Sequence, residues 1–116
     1  MPRAKLRRYF RHGLLPQLIV FEVVARLGSV TRAAEELHLA QPTVSTQLKK
    51  LADTVEARLF EPCGRKLQLT ASGETLLESC MELFDVLTRA EQRLAAVQSA
   101  AGGGFEWSFR ATTTLR

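Results

Sequence analysis

Leu76, Cys80, Leu83, Leu87, Ala90, Leu94 and Val97 follow one another at spacings of 4, 3, 4, 3, 4 and 3. A stripe of this period closes only on a long continuous helix, because a 3.5-residue repeat keeps its apolar positions on one side. The helix is predicted over about Ala71–Ala100, capped by Thr70. Leu77, Met81 and Phe84 form a second, shorter stripe beside the first. One helix with two apolar sides needs two partners. The short stripe can lie on a folded domain of the same chain. The long stripe needs another chain, since these 116 residues hold no second long amphipathic helix. Leu76, Cys80, Leu83, Leu87, Ala90, Leu94 and Val97 are therefore the expected dimerisation residues.

The residues before this helix read as a small helical domain. In Leu14–Leu27, Leu15, Leu18, Ile19, Phe21, Val24 and Ala25 suit a buried helix. Pro16 sits in its first turn, where a missing N–H is harmless, and Gly28 follows its end as a C-cap. Ser29 or Thr31 can cap the next helix, in which Val30, Ala33, Ala34 and Leu37 recur at helical spacing. His38-Leu39-Ala40 has room only for a tight turn. Pro42 then opens a third helix, whose Val44, Leu48, Leu51 and Val55 form one stripe. Its opposite face collects Pro42, Thr46, Lys49, Lys50 and Asp53, with Thr43 and Ser45 on the flanks. In "RLFEPCGRKLQLT", Gly64-Arg65 separates Leu59-Phe60 from the alternating Leu67 and Leu69, a short hairpin with a basic tip. The expected fold is mainly α: a winged helix-turn-helix with a two-stranded wing, followed by a long dimerisation helix. The expected division is a basic arm at 1–13, the winged domain at 14–69, the linker helix at 70–100 and a hinge at 101–116. In the last segment three glycines precede Phe105, Trp107 and Phe109, which alternate as in a strand without a sheet.

Charge follows the same division. The formal net charge is +4, but residues 1–70 hold twelve Lys/Arg against six Asp/Glu, and residues 71–116 hold four against six. A basic front and a mildly acidic back point to an anionic partner for the front alone. B-DNA's major groove admits one α-helix, and its base edges are read by short and amide side chains as well as arginine. Gln41 can bond adenine through two hydrogen bonds, Thr43 can offer its methyl to thymine, and Ser45 and Thr46 can bond bases or phosphates. Lys49 and Lys50 add phosphate attraction, and Arg32, Arg65 and Lys66 are candidates for the backbone. For each of these residues the competing account is a solvated helix face or loop.

Other classes have little support in the sequence. Cys63 and Cys80 sit in no CxxC or Cys/His cluster, which disfavours zinc and fits a reduced, cytoplasmic chain. The apolar stretch near the start is interrupted by Pro16, Gln17 and Glu22 and lacks a small-x-small cleavage site, so it does not read as a signal peptide. No segment approaches the roughly 18 apolar residues of a membrane helix. His12 and His38 have no Cys or carboxylate setting, no Ser or Thr has an arranged base, and Gly102-Gly103-Gly104 lacks the Lys-Ser/Thr of a phosphate loop. No cofactor is expected in this chain and it does not read as an enzyme. The rival reading is a helical protein-interaction or dimerisation module whose basic face is incidental.

The same residues carry a resemblance. "PQLIVFEVVARLGSVTRAAEELHLAQPTVSTQLKKL", followed by "RLFEPCGRKLQLTASG", resembles the amino-terminal domain of LysR-type transcriptional regulators over roughly Leu14 to Val97. The elements that carry it are Phe21, Gly28-Ser29, Ala33-Ala34, Leu37, Gln41-Pro42, Ser45, Leu48, Leu51, Leu59-Phe60-Glu61, Gly64-Arg65, Leu69-Thr70 and Gly73. "QPTVSTQLKKLAD" is similar to the subgroup that controls Calvin-cycle carbon-fixation operons. The resemblance implies a cytoplasmic DNA-binding regulator with DNA contacts at Gln41, Pro42, Thr43, Ser45, Thr46 and, on the wing, Arg65. It also implies an operator with two half-sites and a linker helix that dimerises antiparallel to its partner, with a tetramer as the further option in a full-length protein. A small-molecule effector is implied only for a carboxy-terminal domain, of which "FRATTTLR" resembles the opening strand, so the chain reads as a fragment. Three positions depart from the family pattern: Glu56 stands where Gly is usual, Pro62 replaces a common Arg, and Thr46 replaces an Arg frequent elsewhere.

Overall fold

The computed structural model describes residues 13–102. The arm before them and the aromatic segment at Phe105–Phe109 lie outside the described residues. Along the chain come α1 (Leu14–Leu27), α2 (Val30–Leu37), α3 (Gln41–Val55), β1 (Phe60–Cys63), β2 (Lys66–Leu69) and α4 (Ala71–Ala100). This is the winged helix-turn-helix with a long final helix that the spacing predicts. The chain divides into two compact units between Leu77 and Glu78.

In the first unit α1 is the central helix, packing against α2, α3 and β2. Val20, Val23 and Val24 of α1, Ala33 and Ala34 of α2 and Val44 of α3 form the buried cluster, with Leu27, Val30, Leu37, Leu48, Phe60 and Leu67 around it. The two alanines of α2 let the helices approach closely. Phe21 is fully buried, and its ring lies 5.4 Å from that of Phe60 at 55°, a tilted pair that ties the wing to α1. Leu15 is exposed, while Gln17 and Glu22, which helical spacing alone leaves polar, are buried. Arg26, in the last turn of α1, donates to Glu22 on its own helix and to Glu36 on α2. The hydrogen bond to Glu36, with the nearby charges of Glu22 and Glu36, raises the guanidinium pKa. This arginine is occupied in holding two helices together.

Each break between helices has a local cause. Gly28 ends α1 at φ 65°, and its N–H donates to Val24 O over 2.7 Å. Ser29 caps α2 through its Oγ, which accepts from Arg32 N at 3.1 Å. His38 closes α2 at φ 56°, and Pro42 lies in the first turn of α3. Glu56 ends α3 at φ 55°, the left-handed region where a Cβ crowds the following carbonyl. The family's usual glycine would sit there without that strain. Strain of about 1–2 kcal/mol, less the extra chain entropy glycine loses on folding, leaves a net gain: Glu56→Gly should stabilise the domain by about 0.5–1 kcal/mol. Urea melts would show a higher midpoint with an unchanged slope.

The wing is an antiparallel hairpin with Phe60 opposite Leu69, Glu61 opposite Gln68, Pro62 opposite Leu67 and Cys63 opposite Lys66. Gly64 makes the turn at φ 60°, and Gln68 Nε2 donates to Glu61 Oε1 across the strands at 3.0 Å. Leu67 N–H points out of the hairpin and donates to Gly28 O at 3.0 Å. In an antiparallel ladder its opposite residue is then also turned outward, so Pro62, which has no N–H, removes no ladder bond. Thr70 joins the wing to α4. Its N–H donates to Leu59 O, its hydroxyl donates to Arg58 O at 2.6 Å, and its Oγ1 accepts the N–H of Gly73 as the helix cap.

In α4, Cys80, Phe84 and Glu91 are buried, whereas Met81, Leu83, Val86, Leu94 and Val97 are exposed. Leu76, Leu77, Leu87 and Ala90 lie between. The seven-residue stripe expected from spacing is thus split: Cys80 is enclosed at 1% exposure, and Val86, outside that stripe, is 51% exposed. Asp85 and Arg89 pair one turn apart on the outer side.

Candidate nucleic-acid interface

The core that fixes α3 also decides which of its side chains face outward. Val44 and Leu51 are fully buried and Leu48 is half-buried. At about 100° per residue this pins one side of the helix and turns the other out. Gln41, Pro42, Thr43, Ser45, Thr46, Lys49, Lys50 and Asp53 are all exposed. The first of these open the helix after Ala40, which supplies no side-chain cap. The amino-terminal end of α3 is therefore clear of capping side chains and carries the positive end of the helix dipole.

Arg32 and the wing are brought toward one joint. Gly28 accepts from Leu67 N–H, and the side chain of Lys66 runs 3.8 Å from where a Cβ on Gly28 would stand. The next residue, Ser29, caps the turn of α2 that carries Arg32. Arg65 follows Gly64 at the exposed tip. Arg32, Lys49, Lys50, Arg65 and Lys66 are exposed, and among the described residues no carboxylate pairs with any of them; the ion pairs present engage Arg26 and Arg89. A cluster of cations left unneutralised by its own protein is suited to an external polyanion.

Arg58, in the loop between α3 and the wing, has the same standing, exposed and without a carboxylate, and the sequence reading passed over it. The signal was only a basic residue beside the hairpin. Among the described residues no group of three or more His, Cys, Asp or Glu could hold a metal ion, and Cys63 and Cys80 are free thiols, the first exposed and the second buried.

If Arg65 meets phosphate, its removal should weaken binding almost equally on every duplex. Arg65→Ala should also make the slope of log affinity against log salt shallower by about 1. An unchanged slope in a variant whose hairpin is still folded would take Arg65 off the backbone.

The profile of the family described as "Bacterial regulatory helix-turn-helix protein, lysR family" matches residues 15–74. The chain is 43% identical over 103 residues to the RuBisCO operon transcriptional regulator of Acidithiobacillus ferrooxidans, covering 89% of this chain and 33% of that protein. It is 39% identical over 93 residues to the HTH-type transcriptional activator CmpR of a Synechocystis strain, covering 80% and 31%. Among solved structures it resembles the complex of the CbnR DNA-binding domain with DNA at a TM-score of 0.66 and 31% identity, covering 72% of this chain and 95% of that one. The BenM DNA-binding domain on its catB site 1 DNA gives 0.64 and 28%, covering 77% and 97%. The chain spans about a third of the length of the curated relatives it matches.

Proposed function

The chain belongs to the lysR family of bacterial regulatory helix-turn-helix proteins, and from that premise we propose that it is the DNA-binding and dimerisation part of a transcription regulator. The observation that carries the proposal is the outer face of α3. Gln41, Thr43, Ser45 and Thr46 are exposed on a helix pinned by Val44 and Leu51, and unpaired cations lie along it and on the wing. In this reading α3 enters the major groove, Gln41 and Thr43 read base edges, and Ser45 and Thr46 bond bases or phosphates. Lys49, Lys50, Arg32, Arg65 and Lys66 meet the backbone. Thr46 reaches less far than the arginine frequent in the family, so the base contact there is shorter or absent.

Two copies joined through α4 present two such heads to an operator with two half-sites. Similarity to a RuBisCO operon transcriptional regulator supports a target of that kind. A small-molecule effector belongs to a domain outside this chain, and the compartment is the cytoplasm. Among the described residues no helix is long and apolar enough to cross a membrane.

Selection from a random duplex pool tests the proposal. The chain should enrich a sequence with two related half-sites. On that sequence Gln41→Ala should lose about 1–3 kcal/mol of binding, the value of a good base contact, and lose little on random duplex. Equal losses on both would leave Gln41 a backbone contact only. A pool that enriches nothing would favour the interaction-module reading.

A further inference from the structure

The basic excess of the front half is unevenly placed. Residues 1–12 carry Arg3, Lys5, Arg7, Arg8 and Arg11 and no Asp or Glu. Residues 13–70, which hold the winged domain, carry seven Lys/Arg against six Asp/Glu, and residues 71–102 carry two against five. The winged domain is thus close to neutral. Arg26 is held between Glu22 and Glu36. Asp53 on the outer face of α3 and Glu61 on the wing set carboxylates among the cations offered to DNA. Such a face can discriminate, but its summed field is weak. The strong positive charge of this chain lies ahead of the domain, in the arm.

The arm joins the domain at Gly13, the residue before α1. The 14 residues of α1 rise about 21 Å to Gly28, whose carbonyl accepts the N–H of Leu67 on the wing. Arm and wing are therefore attached at opposite ends of α1, the helix against which α3 packs. Twelve residues span at most about 40 Å, so phosphates on either side of a major groove occupied by α3, about 12 Å wide, lie within reach. Four of the five cations are arginines. A guanidinium is weakly hydrated and binds phosphate oxygens through two parallel N–H donors. The segment contains no carboxylate to neutralise them.

We propose that residues 1–12 bind phosphates of duplex DNA flanking the half-site that α3 reads, one arm from each copy. The proposal rests on the DNA-binding reading above and adds a second point of attachment. The heads then supply discrimination between sequences, and the arms supply attraction that is the same on every sequence.

Two variants of the 116-residue chain test it. One lacks residues 2–12. The other keeps the length of the arm but carries Arg3→Gln, Lys5→Gln, Arg7→Gln, Arg8→Gln and Arg11→Gln together. If two cations of each arm meet phosphate, a dimer loses four contacts, and the slope of log affinity against log salt becomes shallower by about 3–4, the contribution of the heads remaining. At ~0.1 M salt the affinity should fall at least about tenfold, by the same factor on selected and on random duplex. Arg3→Lys, Arg7→Lys, Arg8→Lys and Arg11→Lys together should keep most of the slope, since the charge is retained. A slope unchanged in the Gln chain would overturn the proposal, even if the deletion weakens binding, and so would a loss confined to the selected duplex. The arm also holds Leu6, Tyr9 and Phe10 among its cations, a composition that suits an anionic lipid surface. A parent chain that co-sediments with vesicles of phosphatidylglycerol and phosphatidylcholine, beside a Gln chain with full affinity for duplex, would assign the arm to lipid and overturn the proposal. A parent chain that binds no duplex at all would instead remove the reading on which it rests.

Discussion

The Leu83→Glu, Val86→Glu double variant should sediment as a monomer whose winged domain remains folded. The two side chains are 38% and 51% exposed, so the substitutions remove only part of the packing within the chain. In a dimer they would bury carboxylates near their own copies, losing apolar contact and adding repulsion. The consequence for DNA is larger than for the helix. Joining two heads makes the second contact intramolecular, worth about 10²–10⁴ in affinity. Binding to a two-half-site duplex should fall by that order, while weak binding to random duplex survives. Sedimentation and a gel shift on the two duplexes would show both effects. A variant that still sediments as a dimer would move the interface off this stripe.

Gly73→Ala should strongly destabilise the junction between the wing and α4. Gly73 lies in the first turn of α4 with its backbone in the ordinary region, outside the positive-φ glycines. Helix propensity alone would make alanine better there by about 1 kcal/mol. Space reverses the sign. A Cβ on Gly73 would overlap the backbone oxygen of Leu59 and come within 2.9 Å of Leu69 Cδ2. That oxygen cannot retreat freely, since it accepts the N–H of Thr70. Overpacking against backbone costs about 3 kcal/mol, the upper part of the usual range, or more than ~10 °C in the melting midpoint of a domain this size. Gly64→Ala is the control: it has φ 60° but nothing within 4 Å of its Cβ, so its cost should stay near 1–2 kcal/mol. Thermal melts of the two variants would compare them directly. A Gly73→Ala chain as stable as the parent would mean that the close approach of α4 to Leu59 is not as described.

These two variants mark where the sequence was legible and where it was not. The order of helices and hairpin could be read because each boundary has a local chemical cause: Gly28 at a left-handed cap, Ser29 and Thr70 as side-chain caps, Pro42 in a first turn, Gly64 in the hairpin. The outer face of α3 was legible for the same reason. Once Val44, Leu48 and Leu51 are assigned inward, helical geometry fixes what faces out. Gly73 could be noticed but not explained, because its need for a missing Cβ comes from Leu59, fourteen residues earlier. In α4 the period of the apolar residues was clear, but their assignment to faces was not. A 4-3 count placed Cys80 with Leu83 and Leu87, yet Cys80 and Phe84 are buried while Leu83 and Val86 are exposed. Spacing near 3.5 is satisfied by either neighbour in a pair such as Val86 and Leu87, and only packing decides between them. Arg26 shows the same limit for charge. It counts among the basic residues of the front half, yet it is held by Glu22 and Glu36 and is not on offer to DNA.

In the proposed function the exposed cations around α3 and the wing meet nucleic-acid phosphates. Equilibrium binding to duplex DNA across a salt series tests it most directly. Each phosphate neutralised contributes roughly −0.9 to the slope of log affinity against log salt. Three contacts from each of two heads would therefore give a slope of about −5, with tighter binding to the selected two-half-site duplex at every salt concentration. A slope near zero, or identical affinity for selected and random duplex throughout, would contradict it.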